Sequence, residues 1–146
     1  MSGFLADLTL RPDYGWPALV LSVSPLVLLW AGFGVGKARA KYGIKYPQMY
    51  AEKSDEKAVQ FNCYQRAHQN LLEGYGPFLL LTTLSAVHRP LMAAAAGAVR
   101  LAGFIVYVKG YQTGDPNKRH RGSFGYLGFF ASLFMSIELG VRLILS

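Results

Sequence analysis

Three residues able to do chemistry stack on one face of an otherwise apolar stretch. In FNCYQRAHQNLLEGYGPFLLL, Arg66, Asn70 and Glu73 are spaced i, i+4 and i+7, which on a helix sets them one above another. That face must turn toward the bundle interior or a partner subunit. The alternative to a functional role is a buried ion pair with hydrogen bonds that fixes how helices pack. Gln69 lies beside them, whereas His68, two residues from both Arg66 and Asn70, points away toward an interface or a lipid headgroup. If the stretch crosses a membrane, each ionisable group costs roughly 2.5 to 3.5 kcal/mol on insertion and marks a functional candidate by default.

A second set lies further along. Tyr107 and Tyr111 are i, i+4 in VYVKGYQTG, and Arg121 follows in NKRHRG. Two aromatics at a membrane edge are commonly plain interfacial anchors. With Lys37 and Arg39 at the end of an earlier apolar run, however, these residues gather at one boundary. A cationic pocket with amide and phenol donors there would suit a water-soluble anion meeting an apolar second ligand. Cys63, the single cysteine, sits one turn before Arg66 and reads as packing. It cannot close an intrachain disulfide, and no CxxC or Cys/His cluster suggests a metal site.

The elements that must position these groups are marked by where charge is missing. The chain has 146 residues, room for one domain at ~100 to 200 residues each. It is 52% apolar and only 16% charged, against roughly 25% charged in an ordinary soluble domain. Mean hydropathy is +0.23. Four stretches, roughly 16–36, 59–86, 90–109 and 122–145, are long enough to cross a bilayer, which takes about 20 residues as a helix. Lipid supplies no partner for an open backbone, so these spans are expected to be helices, and LVLLW and LLLTTL lack the strict alternation of barrel strands. The expected fold is all-α, an integral membrane bundle of four antiparallel helices, with Pro25 kinking the first. Small residues at 93–97 and Gly125 and Gly128 would let helices approach closely. GFGVG is no dinucleotide loop, because a membrane span precedes it instead of a strand. A cleaved signal peptide is disfavoured, since two acids and one base precede the first span in place of a basic start.

The net charge of +7 sorts by side. Lys37, Arg39, Lys41, Lys45, Lys53 and Lys57 fall in the first connection and Lys109, Lys118, Arg119 and Arg121 in the third, against Arg11 and Arg89 on the other face. The excess of positive charge predicts that the first group is cytosolic and that both chain ends lie across the membrane. Bases abutting a membrane are explained by topology or anionic lipid, so nucleic acid is not an expected partner.

The runs KARAKYGIKYPQMY, FNCYQRAHQNLLEGYGPF and YVKGYQTGDPNKRHRG resemble the membrane-associated proteins in eicosanoid and glutathione metabolism, the MAPEG family. Within it they are most similar to the type three branch of microsomal glutathione S-transferases. The resemblance covers the motifs from about Lys37 to Gly125 and all four spans in layout. It implies a homotrimer that binds glutathione as co-substrate between neighbouring subunits near the cytosolic face. Carried over by position, it implies that Arg39, Arg66, His68, Asn70, Glu73, Tyr107 and Tyr111 hold the tripeptide. Arg121 is implied as the catalytic residue that stabilises the glutathione thiolate, with Arg119 close enough to contest that role. Two positions depart from the pattern: Gly74 stands where leukotriene-C synthase relatives have Tyr, with Tyr75 next, and Phe104 stands where relatives generally have Arg. Arg100, one turn before Phe104 on roughly the same face, is the candidate to reach the Glu73 region in its place.

The resemblance therefore implies a membrane glutathione transferase acting on lipophilic electrophiles, including leukotriene A-type epoxides, and reducing lipid hydroperoxides. The alternative is a non-catalytic membrane subunit that binds lipid or serves assembly. A proton or ion path through Glu73 and Arg66 is weaker, because 76–83 offers no continuing relay. The terminal LILS carries no retrieval signal, so the endoplasmic reticulum is an expectation from the resemblance alone, with a mitochondrial or bacterial membrane as alternatives.

Overall fold

A computed structural model describes residues 12–146. Arg11 and most of the segment ahead of the first apolar run lie outside the described residues. Among those described, the structure is helical, with no strand. Helix α1 spans Gly15–Tyr42, α2 Ala58–Ala86, α3 Pro90–Tyr111 and α4 Gly125–Leu145, with short 3-10 turns at Pro12–Tyr14 and Pro116–Gly122.

Helix α1 runs six residues past the apolar stretch, because Lys37, Arg39 and Lys41 are good helix formers and nothing stops the chain earlier. It ends where Gly43 takes φ 72° and returns its N–H to the Arg39 carbonyl, a left-handed cap that glycine adopts without strain. Pro90 opens α3 in the first turn, where its missing N–H is no loss. The third connection is largely ordered: Asp115 accepts from the Asn117 N–H at 3.0 Å and starts the 3-10 turn.

Three segments, Pro12–Tyr42, Pro90–Tyr111 and Gly125–Leu145, are long and apolar enough to cross a membrane, which fits an integral membrane protein. Helix α2 is as long, with 29 residues, but its first half carries the polar face.

Neighbouring helices run in opposite directions, as the contacts along them show. Tyr14 Oη donates to the Val87 carbonyl at 2.6 Å and Ser24 Oγ bonds Tyr75 Oη at 2.7 Å, pairing the start of α1 with the end of α2. Asn70 meets Tyr107, and Gly97 lies against Thr82, so α2 and α3 are likewise opposed. Between α3 and α4 the backbones nearly touch. A Cβ on Gly103 would stand 2.4 Å from Gly125 Cα, and one on Gly128 2.2 Å from the Ala96 carbonyl. Inside, Ala31, Ala67, Leu71, Phe78, Phe104 and Val108 form the main core. Outside, large apolar side chains such as Leu26, Phe33, Leu127 and Phe134 are exposed, as a lipid-facing surface requires.

At the end away from the basic connections, Glu138 of α4 accepts from Arg89 at 2.7 and 2.6 Å and from Arg142 at 3.0 Å, with His88 Nε2 at 3.3 Å. One carboxylate thus ties the short α2–α3 turn to α4. Glu138→Gln is expected to lower the thermal midpoint of the detergent-solubilised protein by several degrees, read by circular dichroism. An unchanged midpoint would remove this clamp from the account of stability.

Candidate functional site

The polar face of α2 and the C-terminal turns of α3 meet beneath the 3-10 turn. Two glycines permit this. A Cβ on Gly110 would stand 2.2 Å from the Lys118 carbonyl, and one on Gly122 would stand 2.5 Å from the Tyr107 N and 2.4 Å from the Gly103 carbonyl. The turn therefore lies directly on α3, and Arg119 and His120 overhang a cavity of about 490 Å³.

Asn70, Glu73, Tyr107 and Arg119 all line that cavity. The Asn70 carboxamide donates to Tyr107 Oη, joining α2 to α3. Tyr107 meets Tyr111 edge to face, with centroids 5.7 Å apart. The Arg119 guanidinium lies 5.5 Å from the Tyr111 ring centre and donates to the Pro116 carbonyl at 2.7 Å. Arg66 and Glu73 pair at 3.1 Å, with both side chains about half exposed, so the i, i+7 spacing gives the carboxylate a cationic partner on its own helix.

Other sequence candidates stand apart. Arg39 is buried and donates to the carbonyls of Gln48 at 2.6 Å and Met49 at 3.4 Å, with its guanidinium over Tyr46 and near Phe61. It pins the first connection and does not line the cavity. His68 faces α1, where a Cβ on Gly32 would be 3.5 Å from its Nε2. Arg121 is exposed and off the cavity wall, while Arg119 is on it.

The two departures from the family pattern fit each other. A Cβ on Gly74 would stand 3.1 Å from the Phe104 ring and 3.4 Å from an Arg100 nitrogen. The space at position 74 is therefore taken by Phe104 and Arg100, and Tyr75 turns instead to Ser24. Arg100 shares the cavity wall with Glu73, but its guanidinium is held against rings: Phe104 at 4.1 Å, Tyr126 at 4.8 Å and Phe129 at 5.6 Å. Tyr126 and His120, also on the wall, escaped the sequence reading. The signal for Tyr126 was the aromatic face Tyr126, Phe129, Phe130 at i, i+3, i+4, which reads equally well as membrane anchoring.

Compared with known proteins, the chain matches the model of the MAPEG family over residues 17–141. It is also 37% identical over 97 residues to an uncharacterised protein of Synechocystis sp., sll1147. That alignment covers 66% of this chain and 66%, just under two thirds, of the relative.

Proposed function

The chain belongs to the MAPEG family, and from that premise we propose that it is a membrane glutathione S-transferase that also reduces lipid hydroperoxides with glutathione. The observation that carries the proposal is the cavity wall, where Asn70, Glu73, Tyr107 and Arg119 come together from three elements. Glutathione bears two carboxylates, an ammonium and a thiol. Arg119, with Arg100 further along the wall, suits the anionic groups, Glu73 the ammonium, and the Asn70 and Tyr107 pair the peptide amides. Arg66 acts through Glu73, which it holds at 3.1 Å. Tyr111 holds the ring against which Arg119 rests.

The chemistry asked of these residues is modest. The thiolate is the nucleophile, and a guanidinium beside it favours the charged form without entering a covalent intermediate. The sulfur then attacks an electrophilic carbon, and the bond to a leaving group or epoxide oxygen breaks with its electron pair. With a hydroperoxide, two glutathione molecules become the disulfide while the peroxide becomes alcohol and water. Fixing the tripeptide next to lipid supplies the proximity term.

In the proposed arrangement all four long helices cross the bilayer as an antiparallel bundle and three copies assemble. The basic end faces the cytosol, both chain ends lie across the membrane, and the endoplasmic reticulum is the membrane. Leukotriene A-type epoxides are within the proposed substrate class. A non-catalytic lipid-binding or assembly subunit is the second reading, favoured by the exposed position of Arg121 and by Phe104 where relatives have Arg.

Calorimetric titration of the purified protein with glutathione, together with turnover of a lipophilic aryl halide and of a fatty acid hydroperoxide, separates the two. Asn70→Ala is expected to weaken glutathione binding about tenfold, near the ~1.5 kcal/mol of one hydrogen bond with its orphaned partner. The transferase reading is abandoned if the wild type neither binds glutathione nor turns over either substrate.

A further inference from the structure

The transferase chemistry leaves the imidazole of His120, on the cavity wall, without a task. His120 follows Arg119 in the 3-10 turn Pro116–Gly122. Ser123 donates its N–H to the His120 carbonyl and Tyr126 its N–H to the Ser123 carbonyl, both at 3.0 Å. Bonds of this reach set His120, Ser123 and Tyr126 one above another at three-residue spacing, and all three line the cavity. They form its α4 side, whereas Asn70 and Glu73 come from α2 and Tyr107 from α3. Among the described residues the His120 imidazole has no hydrogen-bond or ion-pair partner. It is also exposed, so it borders both the cavity and water.

Electrophiles differ in what leaves when the sulfur attacks. An aryl halide releases halide, which needs no proton. In a hydroperoxide the sulfur bonds the terminal oxygen, the O–O bond breaks with its electron pair on the other oxygen, and the resulting alkoxide must take up a proton to leave as the alcohol. The glutathione sulfenic acid left behind then condenses with a second glutathione to the disulfide and water. An opened epoxide likewise leaves an alkoxide to be protonated. The charged and titratable groups around His120 are Glu73 from α2, Arg100 and Tyr107 from α3, Tyr126 from α4 and Arg119 on its own turn. A guanidinium does not release its proton. The Glu73 carboxylate is held by Arg66 at 3.1 Å, and a phenol or an alcohol is a far weaker acid than an imidazolium. Of the side-chain types on the wall, imidazole is the one that gives up and regains a proton near neutral pH.

We propose that His120 is a further catalytic residue, the proton donor to the departing oxygen of hydroperoxides and epoxides, with no part in halide displacement. Its proton is renewed from water at the exposed edge of the ring. Two neighbours on one turn thus divide the work: Arg119 stabilises the charge on sulfur before the attack, and His120 neutralises the charge on oxygen that the attack creates. This rests on the transferase and peroxidase reading and assigns a residue to its proton transfer.

The test is single-turnover reaction of the full-length protein in detergent, loaded with glutathione, with a fatty acid hydroperoxide and with a lipophilic aryl halide. His120→Gln is expected to slow the hydroperoxide reaction by about 10²-fold or more, the usual contribution of a positioned general acid, with the aryl halide rate and glutathione affinity changed by less than about twofold. In the wild type, where bound glutathione is already thiolate, the hydroperoxide rate should fall as pH rises through the range in which an imidazolium loses its proton. That decline should be absent from His120→Gln. Imidazole added to His120→Ala should restore roughly a tenth or more of the wild-type hydroperoxide rate by replacing the missing acid. Equal slowing of both substrates in His120→Gln would make the residue structural or glutathione-binding and overturn the proposal. So would an unchanged hydroperoxide rate in that variant, or a Tyr126→Phe protein that shows the substrate-selective loss in its place. A wild type that turns over the halide but not the hydroperoxide would also overturn it and leave the transferase reading intact, whereas one that turns over neither would end both.

Discussion

Arg119→Gln is expected to lower glutathione-dependent turnover by about 10²- to 10³-fold, the usual cost of removing a group that stabilises charge at the reacting atom. Arg121→Gln, in the same assay, is expected to cost less than about fivefold. The resemblance alone favours Arg121, but the chain folds so that residues 116–122 form a 3-10 turn with Arg119 turned inward over Tyr111 and Arg121 outward. A guanidinium lowers the pKa of a neighbouring thiol, so losing it raises that pKa. The thiolate absorbance of bound glutathione at neutral pH should fall in Arg119→Gln, and its residual rate should climb as pH is raised toward the range of a free thiol. The opposite order of effects would place the sulfur outside this cavity, where the exposed Arg121 could reach it from a neighbouring subunit.

The second large effect is structural. Gly128→Ala would put a methyl 2.2 Å from the Ala96 carbonyl and Gly122→Ala one 2.4 Å from the Gly103 carbonyl. Both obstacles are backbone, so relief requires separating α4 or the 3-10 turn from α3. A loss of ~3 kcal/mol or more is expected, at the upper end for overpacking, seen as loss of a monodisperse species in detergent. Gly36→Ala is the control. It lies within α1 with nothing within 4 Å, and there alanine should stabilise by roughly 0.5 to 1 kcal/mol through backbone entropy. If Gly128→Ala melted like Gly36→Ala, the close approach of α3 and α4 would carry no stability.

Helix positions were legible in the sequence because lipid leaves a chain few options: charge-free stretches of the right length have to be helices. The i, i+4, i+7 face of α2 was legible for the same reason, since its polar groups must find partners, and they found Tyr107 and each other. Arg39 was not legible. Whether a basic residue at a helix end faces a ligand or its own chain depends on where the next ten residues fold, and the carbonyls of Gln48 and Met49 come back to it. Arg119 and Arg121 were indistinguishable for a related reason. They differ by two residues, and only the pitch of a 3-10 turn decides which points inward. Arg100 was visible as an isolated charge, but its ring enclosure draws on α4, and no local pattern shows which aromatics will face it.

The glycine seam between α3 and its neighbours divides the protein into positions that can vary and positions that cannot. At 103, 110, 122 and 128 even a methyl group meets backbone, so the relative placement of α3, α4 and the 3-10 turn is fixed independently of what the cavity holds. At 74 a side chain would first meet the side chains of Phe104 and Arg100, and Arg100 in turn lies against the rings of Phe104 and Tyr126. Diversification of ligand preference, in the laboratory or by descent, is thereby channelled into these four sites, where residues can be exchanged in compensating sets while the scaffold stays in register.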